Sequence, residues 1–287
     1  MPYKMCIRDR ITSDSTCDLS PEQIKEHDIG IIPLFINKGG KIYRDCVDIF
    51  PDEIYEFVDN GGPITTTAAV NIADYTEFLK PFASQYDAVI HINISSDFSS
   101  CHQNACLAAQ EFDNVYAVDS RNLSTGHGHV VMAAAEMAES GMGAEEIIEK
   151  LKSFIPRVRA SFILERLDYM RKGGRCSAVT ALGANILKLR PCIEVVDGKM
   201  GVGKKYRGDY LKCVREYVTD KIKDKTNIDQ HRIFITHSGA VPEVPAIARE
   251  IIQQYQDFDE IVETRAGCTV SSHCGFNTIG VLFIEKE

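Results

Sequence analysis

The chain has 287 residues, of which 44% are hydrophobic and 25% are charged, and its formal net charge at pH 7 is −9. This length suits two domains of roughly 100–200 residues each, and the composition is that of a folded protein with an ordinary core. The acidic balance argues against a protein that binds nucleic acid, because a phosphate backbone requires a basic surface.

The ten cysteines occur singly and form no C-x-x-C pair, which indicates reduced thiols rather than a disulfide framework. No apolar run approaches the ~20 residues of a membrane-spanning helix. The N-terminal segment also lacks the apolar stretch of a secretory signal. We therefore expect a soluble, cytoplasmic protein with no membrane span.

In the first half, apolar runs rich in β-branched residues alternate with amphipathic stretches, which predicts an α/β domain with a mostly parallel sheet. Ser20 followed by Pro21 and Gln23 predicts a capped helix start. Lys38-Gly39-Gly40-Lys41 predicts a hairpin on the edge of the first sheet. The predicted strands cover residues 29–36, 88–94 and 115–118, and the predicted helices cover residues 21–27, 51–60, 71–85, 101–112, 128–140 and 144–154.

The second half predicts another α/β domain, with a Gly-Gly turn at Gly173-Gly174 and a hairpin turn at Asp197-Gly198. Because Pro156 ends a helical pattern, we place the boundary there, with an N-terminal domain at residues 1–156 and a C-terminal domain at residues 157–287. The predicted strands cover residues 160–164, 192–196, 204–206, 233–237, 260–264 and 280–284, and the predicted helices cover a segment ending near residue 171 and residues 178–188, 210–223 and 244–254.

Several common sites are not indicated. The chain contains no G-x-G-x-x-G at a strand-to-helix turn, no Walker A sequence and no G-x-S-x-G nucleophile elbow. Asp14 and Asp18 suit either a metal or helix capping, and capping is favoured. His127 and His129 are two residues apart, but no third ligand accompanies them. We therefore predict no metal site.

Two hydroxyl-rich segments stand out, at residues 63–67 and at residues 95–100. The second follows a predicted strand and precedes a predicted helix, the position at which open α/β sheets bind ligands. Helix-end amides and hydroxyl groups together suit an anion. Spacing alone favours plain helix capping over such a site.

Together these motifs resemble those of the DegV family, in order and over essentially the whole chain. The similarity rests on Asp14-Ser15-Thr16-Cys17-Asp18-Leu19, on Thr65-Thr66-Thr67 and on the segment 95–100. It continues through Asp119-Ser120 with Ser124, Gly126 and Gly128, then through residues 167–175, which end in Gly-Gly-Arg, and finally through residues 267–275.

The resemblance implies two α/β domains with a lipid tunnel between them, and one bound long-chain fatty acid as the ligand, with no other cofactor. It further implies a carrier rather than an enzyme, which presents the fatty-acid carboxylate to a kinase so that the acyl-phosphate enters phospholipid synthesis. By position, the carboxylate would be held by Thr65, Ser99 and the Ser100 amide beside His273. Secondary contacts with the head group or a partner would come from Thr66, Arg175, Arg207 and Gly275.

The sequence departs from the family pattern at Ser100, Cys101, Phe276 and Asn277. Ser100 and Phe276 are expected to narrow the head-group end or to shift the preferred chain length, so acyl length stays open. An alternative is an acyl hydrolase or transferase with Ser99 or Cys101 as nucleophile and His273 as base. A third possibility is a structural or regulatory domain with an empty cavity.

Overall fold

The computed structural model describes residues 9–182 and 188–287. In the first half the strands are β1 (Asp9–Asp14), β2 (Gly30–Ile32), β3 (Phe35–Lys38), β4 (Lys41–Arg44), β5 (Thr66–Ala68), β6 (Ala88–Asn93) and β7 (Val115–Asp119). The helices there are α1 (Pro21–Glu26), α2 (Pro51–Asp59), α3 (Ile72–Gln85), α4 (Cys101–Ala109), α5 (Ser124–Glu139) and α6 (Ala144–Phe154).

The main sheet of the first half has four parallel strands in the order β2-β1-β6-β7. Strand β6 is buried at every position, as expected for a central strand with both faces covered. The predicted capping box is confirmed at α1, where Ser20 accepts from the Gln23 amide and the Gln23 side chain accepts from the Ser20 amide. The α/β class predicted from the alternating pattern is therefore confirmed.

Residues 29–36 do not form the single strand predicted from their apolar run. They divide into β2 and β3, which belong to different sheets. Pro33 lies between the two strands, and proline lacks the N–H that a continuous ladder needs. The predicted hairpin β3–β4 is present, but it joins β5 in a separate three-stranded sheet instead of extending the first sheet.

In the second half the strands are β8 (Val158–Ile163), β9 (Leu189–Val196), β10 (Lys199–Arg207), β11 (Arg232–His237), β12 (Glu260–Arg265) and β13 (Ile279–Ile284). The helices are α7 (Asp168–Gly173), α8 (Ser177–Thr180), α9 (Tyr210–Ile222), α10 (Glu243–Tyr255) and α11 (Cys268–Cys274). The strands form one six-stranded sheet in the order β10-β9-β8-β13-β11-β12. Of the predicted helix 178–188, residues 183–187 lie outside the described residues, and α8 ends at Thr180.

Helix α5 lies between the two main sheets, and it contacts β1 and β6 on one side and β8, β11 and β13 on the other. It begins at Ser124, four residues before the predicted start, although Gly126 and Gly128 are poor helix formers. Gly128 lets α5 pack closely against the backbone at Cys17, because a Cβ on Gly128 would lie 2.7 Å from the Cys17 carbonyl oxygen. Tertiary burial therefore overrides helix propensity in this segment.

Among residues 9–182 and 188–287, no helix is long and apolar enough to cross a membrane.

Candidate functional site

A cavity of about 160 Å³ lies between residues of the first half and residues of the second half. Most of its wall is apolar, and hydroxyl groups, one imidazole and one guanidinium complete it. Chain segments far apart in sequence thus build one chamber. The apolar wall comes from Leu34, Ala68, Ala69, Ile94, Phe98, Leu123, Met170, Met200, Val270 and Cys274, and the polar groups come from Thr67, Ser99, Ser100, Arg175, Thr269 and His273.

Thr67 and His273 meet at the cavity wall, where Thr67 Oγ1 lies 2.8 Å from His273 Nε2. Thr67 lines the cavity, whereas Thr66, whose side chain points to the other face of β5, is exposed. Burial lowers the pKa of His273 to about 4, and the nearby positive charge of Arg175 contributes a smaller part of this shift. The imidazole is therefore neutral at pH 7 and can exchange hydrogen bonds with Thr67 and a bound group without adding a charge.

The Gly-Gly-Arg segment shapes the same wall. A Cβ on Gly173 would collide with the His273 imidazole, so only glycine leaves room for that ring. Gly174 ends α7 with a left-handed φ of 68°, and its amide donates to the Met170 carbonyl. That reversal brings Arg175 to the cavity, where its Nη1 donates to the Gly173 carbonyl at 2.7 Å. Within the described part of the chain, no carboxylate lies within ion-pair distance of Arg175.

The turn between β6 and α4 supplies two further hydroxyl groups of the cavity wall, those of Ser99 and Ser100. Ser99 Oγ accepts from the Cys101 amide at 3.2 Å and donates to Cys101 Sγ at 3.1 Å. The Ser100 amide, at the start of α4, has no acceptor among residues 9–182 and 188–287. Ser95 Oγ fixes the turn by donating to the Gly198 carbonyl of the β9–β10 hairpin at 2.8 Å. A free amide and a hydroxyl at a helix start are groups that bind an oxyanion.

The helix that carries His273, α11, was not predicted from the sequence. Two buried carboxylates from the first half hold its N-terminus. Asp45 accepts from the amides of Cys268 at 2.7 Å and Thr269 at 3.2 Å, and Asp18 accepts from the Gly267 amide at 2.8 Å. These caps come from more than two hundred residues away in the chain. The sequence around α11 therefore contains no local signal that predicts the helix.

Asp14 and Asp18 have structural roles, as the capping interpretation predicted. Asp14 caps the short 3₁₀ turn Ser15–Cys17 and accepts from the Ile94 amide at 2.8 Å. Burial raises the pKa of Asp18 to about 8, even though Ser124 and Gly267 donate hydrogen bonds to it. The two groups lie beneath the site and hold together the segments that form it.

The structure brings together most of the residues assigned to the head group. Ser99, Ser100, Arg175 and His273 all line the cavity, whereas Thr65 is not among the lining residues. Thr65 is buried, and its Oγ1 lies 2.7 Å from Ser272 Oγ. Thr67, two residues further along, occupies the position expected of Thr65. Because side chains alternate along extended chain, this spacing separates Thr66 from its neighbours but does not choose between Thr65 and Thr67.

The remaining assigned residues lie outside the cavity wall. Arg207 is at the far end of β10 from Met200, roughly 20 Å away along the strand. Gly275 has a positive φ of 78°, and a Cβ there would lie 2.7 Å from the Tyr169 ring. Phe276 packs edge to face against Tyr55, with ring centroids 5.5 Å apart, and it is not among the residues that line the cavity. The expectation that Phe276 narrows the head-group end is therefore not met. Asn277 takes the left-handed conformation that asparagine tolerates, with a φ of 64°.

The groups proposed for hydrolase chemistry are poorly disposed for it. Cys101 is fully buried, and burial raises the pKa of its thiol to about 11. His273 is bonded to Thr67, and its Nδ1 has no partner among the described residues, so no carboxylate orients it as a base. A nucleophile would lack the base and orienting group that activate it.

A second, smaller cavity of about 30 Å³ lies against β11 and β13. Leu123, Val270 and Cys274 line both cavities and form the partition between them. Its wall is largely apolar, with Phe162 and Leu282 among the lining side chains. The two cavities are therefore neighbours, separated by these three side chains.

These features define an α/β protein with two main sheets and an apolar cavity that carries hydroxyl groups on its wall. Residues 10–286 match the model of the family described as "Uncharacterised protein, DegV family". The chain therefore belongs to the DegV family.

Individual relatives agree with this assignment. A DegV domain-containing protein of Clostridium acetobutylicum is 33% identical over 279 residues, covering 96% of this chain and 98% of the relative. A protein of Thermotoga maritima named "Fatty acid-binding protein" is 29% identical and covers 94% of this chain and 96% of its own.

Solved structures give the same result. A DegV family protein of Thermus thermophilus, described for its fatty-acid binding, superposes with a TM-score of 0.89 at 27% identity, covering 97% of this chain and all of the other. A stearic-acid-binding protein of Eubacterium ventriosum gives a TM-score of 0.83 at 26% identity, covering 96% of this chain and 98% of the other. The two-sheet α/β fold predicted from the sequence is thus that of the family.

Proposed function

We propose that this protein binds one long-chain fatty acid, with its carboxylate at Thr67, Ser99 and the Ser100 amide and its tail along the apolar wall. The observation that carries the proposal is the pairing of Thr67 with a neutral His273 at the wall of an otherwise apolar cavity. The fatty-acid-binding relatives support the same ligand class.

The physical chemistry of the wall suits such a ligand. A buried carboxylate is costly unless it is hydrogen-bonded, and hydroxyl and amide donors supply those bonds. Each buried CH₂ of the tail contributes ~0.8 kcal/mol, so a sixteen-carbon chain gains on the order of 10 kcal/mol. The tail needs more room than the larger cavity alone gives, and moving Leu123, Val270 and Cys274 would open the second cavity to it.

Thr67 is proposed in place of Thr65 as the direct ligand. Thr65 is buried and bonded to Ser272, the neighbour of His273 on α11, so it positions the helix instead. Thr66 is exposed on the opposite face of β5 and is not needed for the carboxylate.

We propose further that the protein acts as a carrier, in the cytoplasm, and presents the carboxylate to a fatty-acid kinase. Ser100 and Arg175 are both exposed residues that also line the cavity, so the head group is placed where a partner can reach it. Neutral donors leave the carboxylate nucleophilic, which an attack on a phosphoryl group requires. Arg175 and Arg207 are the candidate partner contacts on the surface. The acyl-phosphate would then enter phospholipid synthesis.

The first experiment is native mass spectrometry of the purified protein, followed by solvent extraction of whatever it carries. We expect one fatty acid per chain, which would also give the acyl length. Thr67→Val keeps the shape of the side chain but removes the hydroxyl, and it should weaken binding by about 10-fold because a hydrogen bond to a charged group is lost.

Thr66→Val is the matched control, one residue away on the exposed face, and it should leave affinity unchanged. Thr65→Val should lower stability more than affinity. If Thr67→Val bound the fatty acid as tightly as the wild type and Thr65→Val bound it less tightly, Thr65 would be the carboxylate ligand instead of Thr67. A purified protein that is empty and takes up no added fatty acid would overturn the carrier proposal.

A further inference from the structure

Two cysteines from distant parts of the chain lie side by side next to Asp45. Cys46 follows β4 and is exposed, whereas Cys268 is the first residue of α11 and is buried. Their sulfur atoms lie within 4.8 Å of each other. Cys46 Sγ also lies 3.2 Å from the position that a Cβ on Gly267 would occupy, so the glycine leaves space for it.

The backbone fixes both residues. The Cys46 amide donates to the Ile49 carbonyl at 3.1 Å, and the Cys268 thiol donates to the same carbonyl oxygen at 3.1 Å. Cys46 has a left-handed φ of 55°, an unfavourable conformation for a residue other than glycine or asparagine. The tight loop 45–49 therefore holds the exposed thiol against the start of α11.

Asp45 gives this cluster three potential metal ligands, but its oxygens are already engaged. They accept from the Cys268 amide, from the amide and hydroxyl of Thr269, and from the hydroxyl of Ser15 at 2.9 Å. A metal at Asp45 would have to displace the bonds that cap α11. Two thiols alone make a poor metal site, and the cluster is better described as a dithiol.

We propose that Cys46 and Cys268 form a reversible disulfide, in which a small-molecule disulfide such as oxidised glutathione is the oxidant. The Cys46 thiolate attacks one sulfur of the oxidant, and the oxidant's S–S bond breaks to release one small thiol. Cys268 then attacks Cys46 Sγ, which forms the protein disulfide and releases the second small thiol. Two protein thiols are oxidised and one external disulfide is reduced, and the two thiol protons leave on the two products.

The order of attack follows from exposure. Cys46 is accessible to an oxidant, whereas Cys268 is enclosed and can reach only Cys46. The neighbouring Cys46 thiol and burial both raise the pKa of Cys268, so it is the slower nucleophile of the pair. A disulfide requires a sulfur separation of ~2 Å, and rotation of the exposed Cys46 side chain supplies the approach.

The bond would tie loop 45–49 to the first turn of α11. Thr269, Val270, His273 and Cys274 on that helix line the larger cavity. The bond would also close a loop across most of the chain, which restricts the unfolded state strongly. The oxidised form should melt roughly 5–10 °C above the reduced form.

The test uses the full chain incubated with oxidised glutathione, followed by alkylation under denaturing conditions and peptide mass spectrometry without reductant. We expect the loss of two free thiols, a cross-linked peptide joining Cys46 to Cys268, and reversal by a small thiol. The expected rise in melting temperature should appear only in the cross-linked form.

Cys46→Ser changes an exposed side chain, so it should fold normally, form no cross-link and show no rise in melting temperature. Cys106→Ser is the matched control, because Cys106 is also partly accessible but faces His102. It should keep the cross-link. Retention of both thiols, or a stable glutathione adduct on Cys46 with Cys268 still free, would overturn the proposal.

Discussion

Gly173 and Gly174 are adjacent glycines with different reasons for being glycine. A Cβ on Gly173 would collide with the His273 ring, whereas a Cβ on Gly174 would meet nothing within 4 Å. Gly174 instead has a left-handed φ of 68°, which side chains with a Cβ adopt at a cost. Gly173 therefore leaves room for the His273 ring at the cavity wall, and Gly174 allows the left-handed turn that ends α7.

This difference predicts opposite outcomes for two alanine substitutions. Gly173→Ala should displace His273 from Thr67 and weaken fatty-acid binding by about 10-fold. Gly174→Ala should leave affinity intact and lower the free energy of unfolding by about 1 kcal/mol. Fatty-acid titration and urea unfolding of both variants measure the two effects. If the two variants lose affinity equally, Gly173 has no special relation to the head group.

Among the secondary-structure elements, α11 depends most on distant residues. Its first amides donate to Asp18 and Asp45 rather than to a local cap, since Gly267 supplies no side chain. The helix has seven residues, too few to be stable on its own. Its position, and with it that of His273, is set by carboxylates from the first half of the chain.

We expect Asp45→Ala to lower the free energy of unfolding by about 2–4 kcal/mol, because several buried donors lose their acceptor at once. Fatty-acid affinity should fall with it, since α11 carries His273. Asp48→Ala, three residues later in the same loop but exposed, should have a smaller effect on unfolding. Chemical denaturation compares the three proteins. A loss for Asp45→Ala no larger than that for Asp48→Ala would show that α11 does not need this cap.

The same dependence explains which elements could be predicted from the sequence. The capping box at Ser20, the hairpin at residues 38–41 and the buried strand β6 carry local signals, and all three are present. Strand β5 and helix α11 carry none, because pairing with β3 and the caps from Asp18 and Asp45 define them.

The candidate site follows the same rule. The segment 95–100 stands out because a strand and a helix flank it, but Ser99, Ser100, Arg175 and His273 were assigned to the head group through the motifs of the family. The head group was assigned to Thr65, two positions before Thr67, because three consecutive threonines look alike until the fold shows that Thr67 lines the cavity and Thr65 is bonded to Ser272.

At the scale of the whole molecule, buried ionisable groups predict how stability depends on pH. Burial lowers the pKa of His91, His129 and His273 to about 4 from 6.5. Between these values the unfolded chain binds protons that the folded protein does not, so stability falls as the pH decreases from 6.5 to 4. Asp18 acts in the opposite direction, because the folded protein keeps its proton up to a pH of about 8 and the unfolded chain releases it near 3.8.

In acid the three histidines outweigh this one carboxyl, whereas between pH 6.5 and 8 the proton on Asp18 sets the direction of the change. The free energy of unfolding of the ligand-free protein should therefore be greatest near pH 6.5 and should decline on both sides, by up to about 1.4 kcal/mol per pH unit for each net proton. Urea unfolding across pH 4.5–8 measures the curve. Asp18→Asn should flatten the alkaline side and steepen the acid side, because the carboxyl no longer offsets one of the three histidines. An unchanged alkaline slope in that variant would mean that Asp18 ionises normally in the folded protein.

The order of the six-stranded sheet has a consequence for synthesis of the protein. Strand β13 lies between β8 and β11, so these two strands are separated in space by one that is made after both of them. Until residues 279–284 leave the ribosome, β8 and β11 each have an unpaired edge, and exposed edges of this kind invite aggregation. The head-group wall also waits for α11, directly before that strand. A nascent chain thus can neither complete this wall nor pair these edges until β13 has been made, and a chaperone is most useful before that point.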